Sequence, residues 1–218
     1  MTRTILLACG VLSSLLYVAM NVFVAMQWEA YSSVSQTISE LSAIGAPTRT
    51  LWVSLGLVYA LLLTAFGTGV WRSARVSRPL RVVGGALIAN GLFGLGWPPM
   101  HQRAVLAAGG GTLTDTMHII WSVVTVLLMM VAIGFGAAAF GKRFRLYSIA
   151  TMVILVVFGV LTGMDAPRVQ ANLPTPWLGV WERISIAVDM LWVAVLAIAL
   201  LRVGGTAAVA GRQSARAA

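Results

Sequence analysis

Six long apolar segments account for most of this chain and restrict it to one broad class of fold. They cover about 4–26, 51–71, 82–97, 118–140, 147–164 and 183–202. A helix that spans a membrane needs about 20 mostly apolar residues, and it pairs its own backbone polar groups, which lipid cannot do. We therefore predict an all-α fold: an integral membrane six-helix bundle that forms a single transmembrane domain over residues 1–202.

The composition agrees with lipid as the solvent for much of the chain. Only 10% of the residues are charged, whereas soluble domains carry about 25%. The net charge of +9 lies in short clusters between apolar runs, a pattern typical of cytoplasmic loops rather than of nucleic-acid binding. The single cysteine, Cys9, excludes an intrachain disulfide. We expect the lipid bilayer as a partner and no nucleic acid; the oligomeric state stays open.

The charged residues also predict an orientation. Eleven of the fifteen basic residues lie near the termini and in two short connections, around 72–81 and 142–145. All six acidic residues and both histidines lie on the other side, in or beside the three longer connections. The positive-inside rule then puts both termini in the cytoplasm of a multi-pass protein of the cell (inner) membrane. The basic tail, 203–218, is expected to be disordered.

The long connections carry signals of short amphipathic helices on the outer surface. Val34, Ile38 and Leu41 recur at helical spacing, which predicts a helix over about 34–44. Its start suits a capping box, either Ser33 with Gln36 or Thr37 with Glu40, and Gly45 suits the left-handed position after its end. In the later connections, Thr114 or Asp115 is predicted to cap the fourth span. Thr175 followed by Pro176 is predicted to begin a helix that runs into the sixth.

The same segments carry a resemblance to a known family. The run Ser35–Pro47, SQTISELSAIGAP, resembles the signature of a prokaryotic membrane family known only as domain of unknown function number 998. Trp97–His101, Thr114–His118 and Pro174–Arg183 are similar to one branch of it. The resemblance covers nearly the whole chain. It implies a compact multi-span bacterial or archaeal membrane protein, and it carries over no catalytic residue.

Polar residues gather in the outer halves of the predicted spans. Glu182, Ser185 and Asp189 lie on one face of the sixth span, and Asp189 lies about 10 Å deeper than Glu182. An intramembrane carboxylate is rare unless it faces the bundle interior. Asp189, Glu182 and His118 are therefore the catalytic candidates, against the alternative that Asp189 only joins helices. We expect an outer-facing polar pocket; its predicted lining is Tyr17, Asn21, Glu40, Asn90, Asp115, Ser122 and Ser185.

The sequence leaves three functions open. The first is an uncharacterised membrane protein whose pocket binds a small amphiphilic or lipid-like ligand. The second is an intramembrane metal-dependent hydrolase or lipid-modifying enzyme that uses His118 and His101 with Glu182 or Asp189; His101, His118 and Glu182 are the candidate ligands of a divalent metal. A role of Asp115 in orienting His118 is the alternative to its expected role as a helix cap. The third is a proton-coupled transporter that uses Asp189. Whether the protein is an enzyme is left undecided by the sequence.

Overall fold

The computed structural model describes the backbone of residues 2–74 and 76–217 and the side chains as far as Val203, without residue 75. The predicted cytoplasmic residues Arg75, Arg212 and Arg216 lie outside the described side chains, as does nearly all of the tail 203–218, whose disorder stays a prediction. The helices are α1 (Thr2–Ala25), a 3₁₀ helix (Ile38–Ser42), α2 (Arg49–Ser73), α3 (Arg78–Leu95), α4 (Arg103–Ala107), α5 (Leu113–Ala139), α6 (Lys142–Met164), α7 (Ala166–Gln170) and α8 (Leu178–Ala217).

All six predicted segments are helical, and the described part of the chain contains no strand. Five helices are long and apolar enough to cross a membrane: α1, α2, α5, α6 extended through α7, and α8 as far as Val203. The remaining long helix, α3, is not among them. Its 18 residues include Arg78, Arg81 and Asn90, and these lower its hydropathy. The chain is thus a multi-pass membrane protein, and the count of six spans stays a prediction.

The six long helices form a closed ring in chain order. Contacts join α1 to α2, α2 to α3, α3 to α5, α5 to α6, α6 to α8, and α8 back to α1. At one end, which we call the basic end, Arg3 of α1 donates to Ser73 Oγ at the end of α2 (2.9 Å) and to Leu200 O of α8. The opposite end carries the long connections 26–48, 96–112 and 165–177, and we call it the loop end.

Glycines allow the closest helix contacts in this ring. A Cβ at Gly84 of α3 would lie 2.6 Å from the backbone nitrogen of Trp71 in α2, and one at Gly91 would lie 2.8 Å from the backbone nitrogen of Thr64. Because lipid provides no hydrophobic drive for helix association, small residues at the interface let backbones approach closely. Gly84 and Gly91 have this packing role where α3 meets α2.

The buried residues are mostly apolar toward the basic end and include more polar side chains toward the loop end. Toward the basic end, one buried apolar cluster joins side chains from all six long helices, among them Leu7, Phe66, Leu87, Ile133 and Trp192. Trp192 is fully buried, and its indole N–H donates to Ser148 Oγ (3.0 Å). Toward the loop end, a smaller apolar cluster contains Met20, Val24, Tyr31 and Leu41. The buried polar side chains Glu40, His118 and Thr175 lie at the same end, so the candidate site is in that half of the bundle.

Candidate functional site

The first long connection is held by side chains from elsewhere in the ring. The helix predicted over 34–44 is instead a five-residue 3₁₀ helix, Ile38–Ser42. The physical reason is that the carbonyls of Ser33, Ser35 and Gln36 accept hydrogen bonds from arginine side chains rather than from a helical backbone. The expected left-handed residue is present, since Gly45 has φ +85°.

Arg103 of α4 forms a buried ion pair with Glu40 of the 3₁₀ helix. Its Nε lies 2.6 Å from Oε1, and its second terminal nitrogen lies 2.8 Å from Oε2. The remaining donors reach Thr175 Oγ1 (2.7 Å) and Ser35 O (3.1 Å). Glu40 also accepts from the backbone N–H of Thr37, which confirms the predicted Thr37–Glu40 capping box. Three connections therefore meet at a single guanidinium group.

Arg183 of α8 also binds the first connection, 26–48. Its Nε donates to Asn21 Oδ1 of α1 (3.1 Å), and one terminal nitrogen donates to the carbonyls of Ser33 (2.8 Å) and Gln36. The other donates to Tyr31 Oη (2.6 Å), whose hydroxyl donates in turn to Thr37 O. Burial raises the pKa of Tyr31 to about 12, against the opposing effect of Arg183, so this phenol stays protonated and remains a donor.

Glu182 precedes Arg183 and completes this attachment. Its Oε2 accepts the backbone N–H of Ile38, at 2.5 Å. Glu182 was predicted to be a catalytic candidate or a metal ligand. In the structure it binds a backbone donor at the start of the 3₁₀ helix and so helps to hold that helix against α8.

Asp115 pairs with His101 of the second connection. Its Oδ2 lies 2.9 Å from His101 Nδ1, and its Oδ1 accepts the backbone N–H of His101 (2.7 Å). Its side chain therefore orients His101, not His118. The cap of α5 is also corrected: Thr112 is the N-cap, with Asp115 three residues later in a capping box. The Asp115 carboxylate thus contacts residues of the second connection, which precedes α5.

His118 is buried and makes its contacts with two other connections. Nε2 lies 3.0 Å from Ser39 Oγ of the 3₁₀ helix, and Nδ1 lies 2.8 Å from Pro98 O. The indole nitrogen of Trp97 also approaches Nδ1, at 3.1 Å. Ser122, predicted to line a pocket, donates to the backbone carbonyl of His118 in its own helix (2.8 Å). His118 therefore links α5 to the first and second connections.

The predicted metal ligands do not converge. His101, His118 and Glu182 each have the separate partners described above. Among the residues that the structure describes, no group of three His, Cys, Asp or Glu side chains could hold a metal ion.

Asp189 differs from the other carboxylates of the site. Its Oδ1 atom and Ser185 Oγ, one helical turn away, are buried and make no hydrogen bond within the described part of the chain. The burial of these two atoms shows that this face of α8 packs against the rest of the bundle. Asn90, a predicted lining residue of α3, is half-buried.

A cavity of about 440 Å³ lies between α1 and α8 near the loop end. Its polar lining comes from Tyr17, Asn21, Ser33 and Arg183. The remaining walls are apolar: Val18, Val22, Ala25, Met26, Ile186 and Ala187. The ring of Tyr17 packs edge-on against Tyr59, with the ring centroids 4.8 Å apart. Two of the predicted lining residues, Tyr17 and Asn21, thus border the same cavity.

Comparison with known proteins gives a family but no activity. Residues 11–199 match the model of the family described as "Protein of unknown function (DUF998)". The chain belongs to this family. No curated protein and no solved structure matches this DUF998 chain. The match covers every candidate residue discussed above, so the site lies within the family's own domain.

Sequence reasoning missed the two arginines that organise the site of this DUF998 protein. The sequence by itself places both at the outer surface, where arginines bind lipid headgroups or pair with nearby acids. Arg103 does pair with an acid, Glu40, and it also binds Ser35 O. Arg183 binds Asn21, Tyr31 and carbonyls of the first connection rather than the acids Glu29 or Asp165. The local sequence around each arginine gave only a weak signal: Arg103 follows a proline-rich segment, and Arg183 follows a helix start. Such a position does not distinguish a buried arginine from an exposed one.

Proposed function

We propose that this protein binds a small amphiphilic, lipid-like ligand in the groove between α1 and α8. The observation that carries the proposal is the lining of the 440 Å³ cavity, which combines one guanidinium group and three neutral polar side chains with six apolar ones. Ligand sites are typically concave and mostly apolar, with a few polar groups that fix the orientation of the ligand.

The two parts of this lining suit the two parts of an amphiphile. Arg183, Asn21 and Ser33 lie at the loop end of the groove, where a polar head would sit. Val18 of α1 and Ala187 of α8 lie about one helical turn deeper than Asn21 and Arg183, and both are exposed, so the groove opens on the surface that faces the hydrocarbon. A tail can lie along that face without leaving lipid.

The proposal includes an orientation in the membrane. We take α3 as the sixth span, because it occupies a place in the ring between α2 and α5 and its Val83 and Leu87 are fully buried. About 18 residues at 1.5 Å each give 27 Å, close to the thickness of the hydrocarbon core. With six spans both termini share one side, and the positive-inside rule makes it the cytoplasm. The groove then opens toward the outer leaflet.

Filling the groove tests the proposal. Ala187→Trp places a large ring in the groove, whereas Val153→Trp adds the same ring to an exposed position of α6. Purified variants are mixed with a spin-labelled single-chain phospholipid, and binding is measured by the immobilised fraction of the label. We expect saturable binding by the unchanged protein and by Val153→Trp, and at least a tenfold loss of affinity for Ala187→Trp. Equal binding by both variants would contradict the proposal.

A second candidate, proton-coupled transport, is favoured by Asp189. A carboxylate in a membrane interior is costly, and such residues often mark ion or proton pathways. The supporting observation is the buried Oδ1 atom, which accepts no hydrogen bond from the residues that the structure describes. The test uses proteoliposomes that enclose a pH-sensitive dye, under an imposed membrane potential. Proton flux that is lost in Asp189→Asn and kept in Ser122→Ala supports transport, and the absence of flux in the unchanged protein contradicts it.

A further inference from the structure

The contact between Ser39 and His118 has the geometry of a nucleophile and its general base. Ser39 Oγ lies 3.0 Å from His118 Nε2, and His118 Nδ1 lies 2.8 Å from Pro98 O on its opposite side. A hydroxyl within hydrogen-bond reach of an imidazole, with that imidazole oriented by a third group, is the arrangement that activates serine nucleophiles. The three residues come from the 3₁₀ helix, α5 and the second connection, so only the fold assembles them.

The tautomer of His118 decides whether it acts as a base. If Nδ1 carries the hydrogen, it donates to Pro98 O, and Nε2 is free to accept the proton of Ser39. The competing donor is the indole N–H of Trp97, at a longer 3.1 Å. Trp97 is 38% exposed and has water as an alternative partner, and the Pro98 carbonyl lies closer to Nδ1, at 2.8 Å. The shorter contact favours the Nδ1–H tautomer.

The surroundings of this pair indicate what can reach it. His118 is buried while Ser39 is half-buried, so a reagent approaches from the side of the hydroxyl. Both residues lie at the loop end, which the orientation proposed above places at the outer headgroup level. Two carboxylates lie near the pair: Glu40 is paired with Arg103 at 2.6 Å, and Asp115, whose charge acts on His118, contacts His101 at 2.9 Å.

We propose that Ser39 and His118 form a catalytic dyad that cleaves carboxylic esters of membrane amphiphiles. Ser39 Oγ attacks the ester carbonyl carbon, and His118 Nε2 takes the hydroxyl proton. The carbon–oxygen bond to the alcohol breaks, and the alkoxide leaves with that proton as an alcohol. Water then attacks the acyl-Ser39 ester, gives a proton to His118 and releases a carboxylic acid, after which His118 returns the proton to Ser39. Pro98 O holds the imidazole in place throughout.

An alkyl fluorophosphonate probe tests the dyad without knowledge of the natural substrate. Ser39 Oγ displaces fluoride at phosphorus and forms a stable phosphonate ester, with hydrogen fluoride as the second product. The full chain in lipid nanodiscs is treated with the probe, and the labelled peptide is identified by mass. We expect labelling at Ser39 that is absent in Ser39→Ala and slowed at least about 100-fold in His118→Gln, as for loss of a general base. Ser35→Ala removes a hydroxyl four residues away and is expected to label normally.

A second pair of variants measures the activation of the nucleophile even if His118→Gln does not fold. In Ser39→Cys, a thiol beside His118 is expected to react with iodoacetamide at pH 7 at least about tenfold faster than the thiol of Ser35→Cys, because a neighbouring histidine favours the thiolate. Equal rates for the two thiols would refute the proposal. So would an unlabelled Ser39 in the unchanged protein. Neither Ser39 nor His118 lines the α1–α8 groove, so Ala187→Trp is expected to leave labelling intact, and either proposal can fail alone.

Discussion

Replacing Arg103 by methionine tests whether the buried ion pair holds the loop end together. Glu40 is 3% exposed, and the side chain of Arg103 is 12% exposed. Removing one partner of a buried ion pair leaves a charge without compensation and costs about 3–5 kcal/mol. Glu40 keeps the Thr37 N–H at 2.7 Å and the Gln36 amide at 3.2 Å, so the loss should fall near the lower limit, at about 3 kcal/mol.

A double-mutant cycle separates the pair from the other bonds of Arg103. Glu40→Gln removes the negative charge and keeps the shape of the side chain. If the two residues act as a pair, the double variant Arg103→Met with Glu40→Gln should cost less than the sum of the single variants, by about 1–3 kcal/mol. The free energy of unfolding is measured for each variant by titration with SDS in mixed micelles, followed by tryptophan fluorescence.

The control is another arginine at the loop end. Arg168 lies 3.8 Å from Asp165, and its side chain is 48% exposed. An exposed ion pair contributes at most about 1 kcal/mol, so Arg168→Met should change stability by no more than that. If Arg103→Met lowers the free energy of unfolding no more than Arg168→Met does, the ion pair does not hold the three connections together.

Three further predictions concern the bundle itself. Gly84→Val should destabilise the protein by about 1–3 kcal/mol, because its side chain would meet the backbone of α2; Gly159→Ala, which meets nothing within 4 Å, should be neutral or slightly stabilising in the same SDS titration. Trp192→Phe should cost about 1–3 kcal/mol by leaving the buried Ser148 without its partner, and the loss should be smaller in a variant that also carries Ser148→Ala. Asp189→Leu should raise the melting temperature, since Oδ1 lacks a partner; a lower melting temperature would mean that Asp189 joins helices.

Much of the secondary structure could be predicted from local sequence. Long apolar runs specify helices, because a backbone in lipid must satisfy its own hydrogen bonds. The capping box of Thr37 with Glu40 and the left-handed Gly45 were also predictable, since each depends on residues a few positions apart. The family could also be recognised from short local segments, and the match over residues 11–199 confirms it. The charge asymmetry predicts an orientation, which stays a prediction.

The tertiary structure decided which polar residues meet. Glu40 and Arg103 are 63 positions apart, and Ser39 and His118 are 79 apart. These pairs arise because the closed ring of helices brings three connections to the same end, and no local periodicity encodes that closure. The choice of His101 over His118 as the partner of Asp115 has the same origin, since the connection folds back onto the start of α5. The sequence by itself determined the helices and which connections carry polar side chains. The closure of the helices into a ring determined which of those side chains meet in a site.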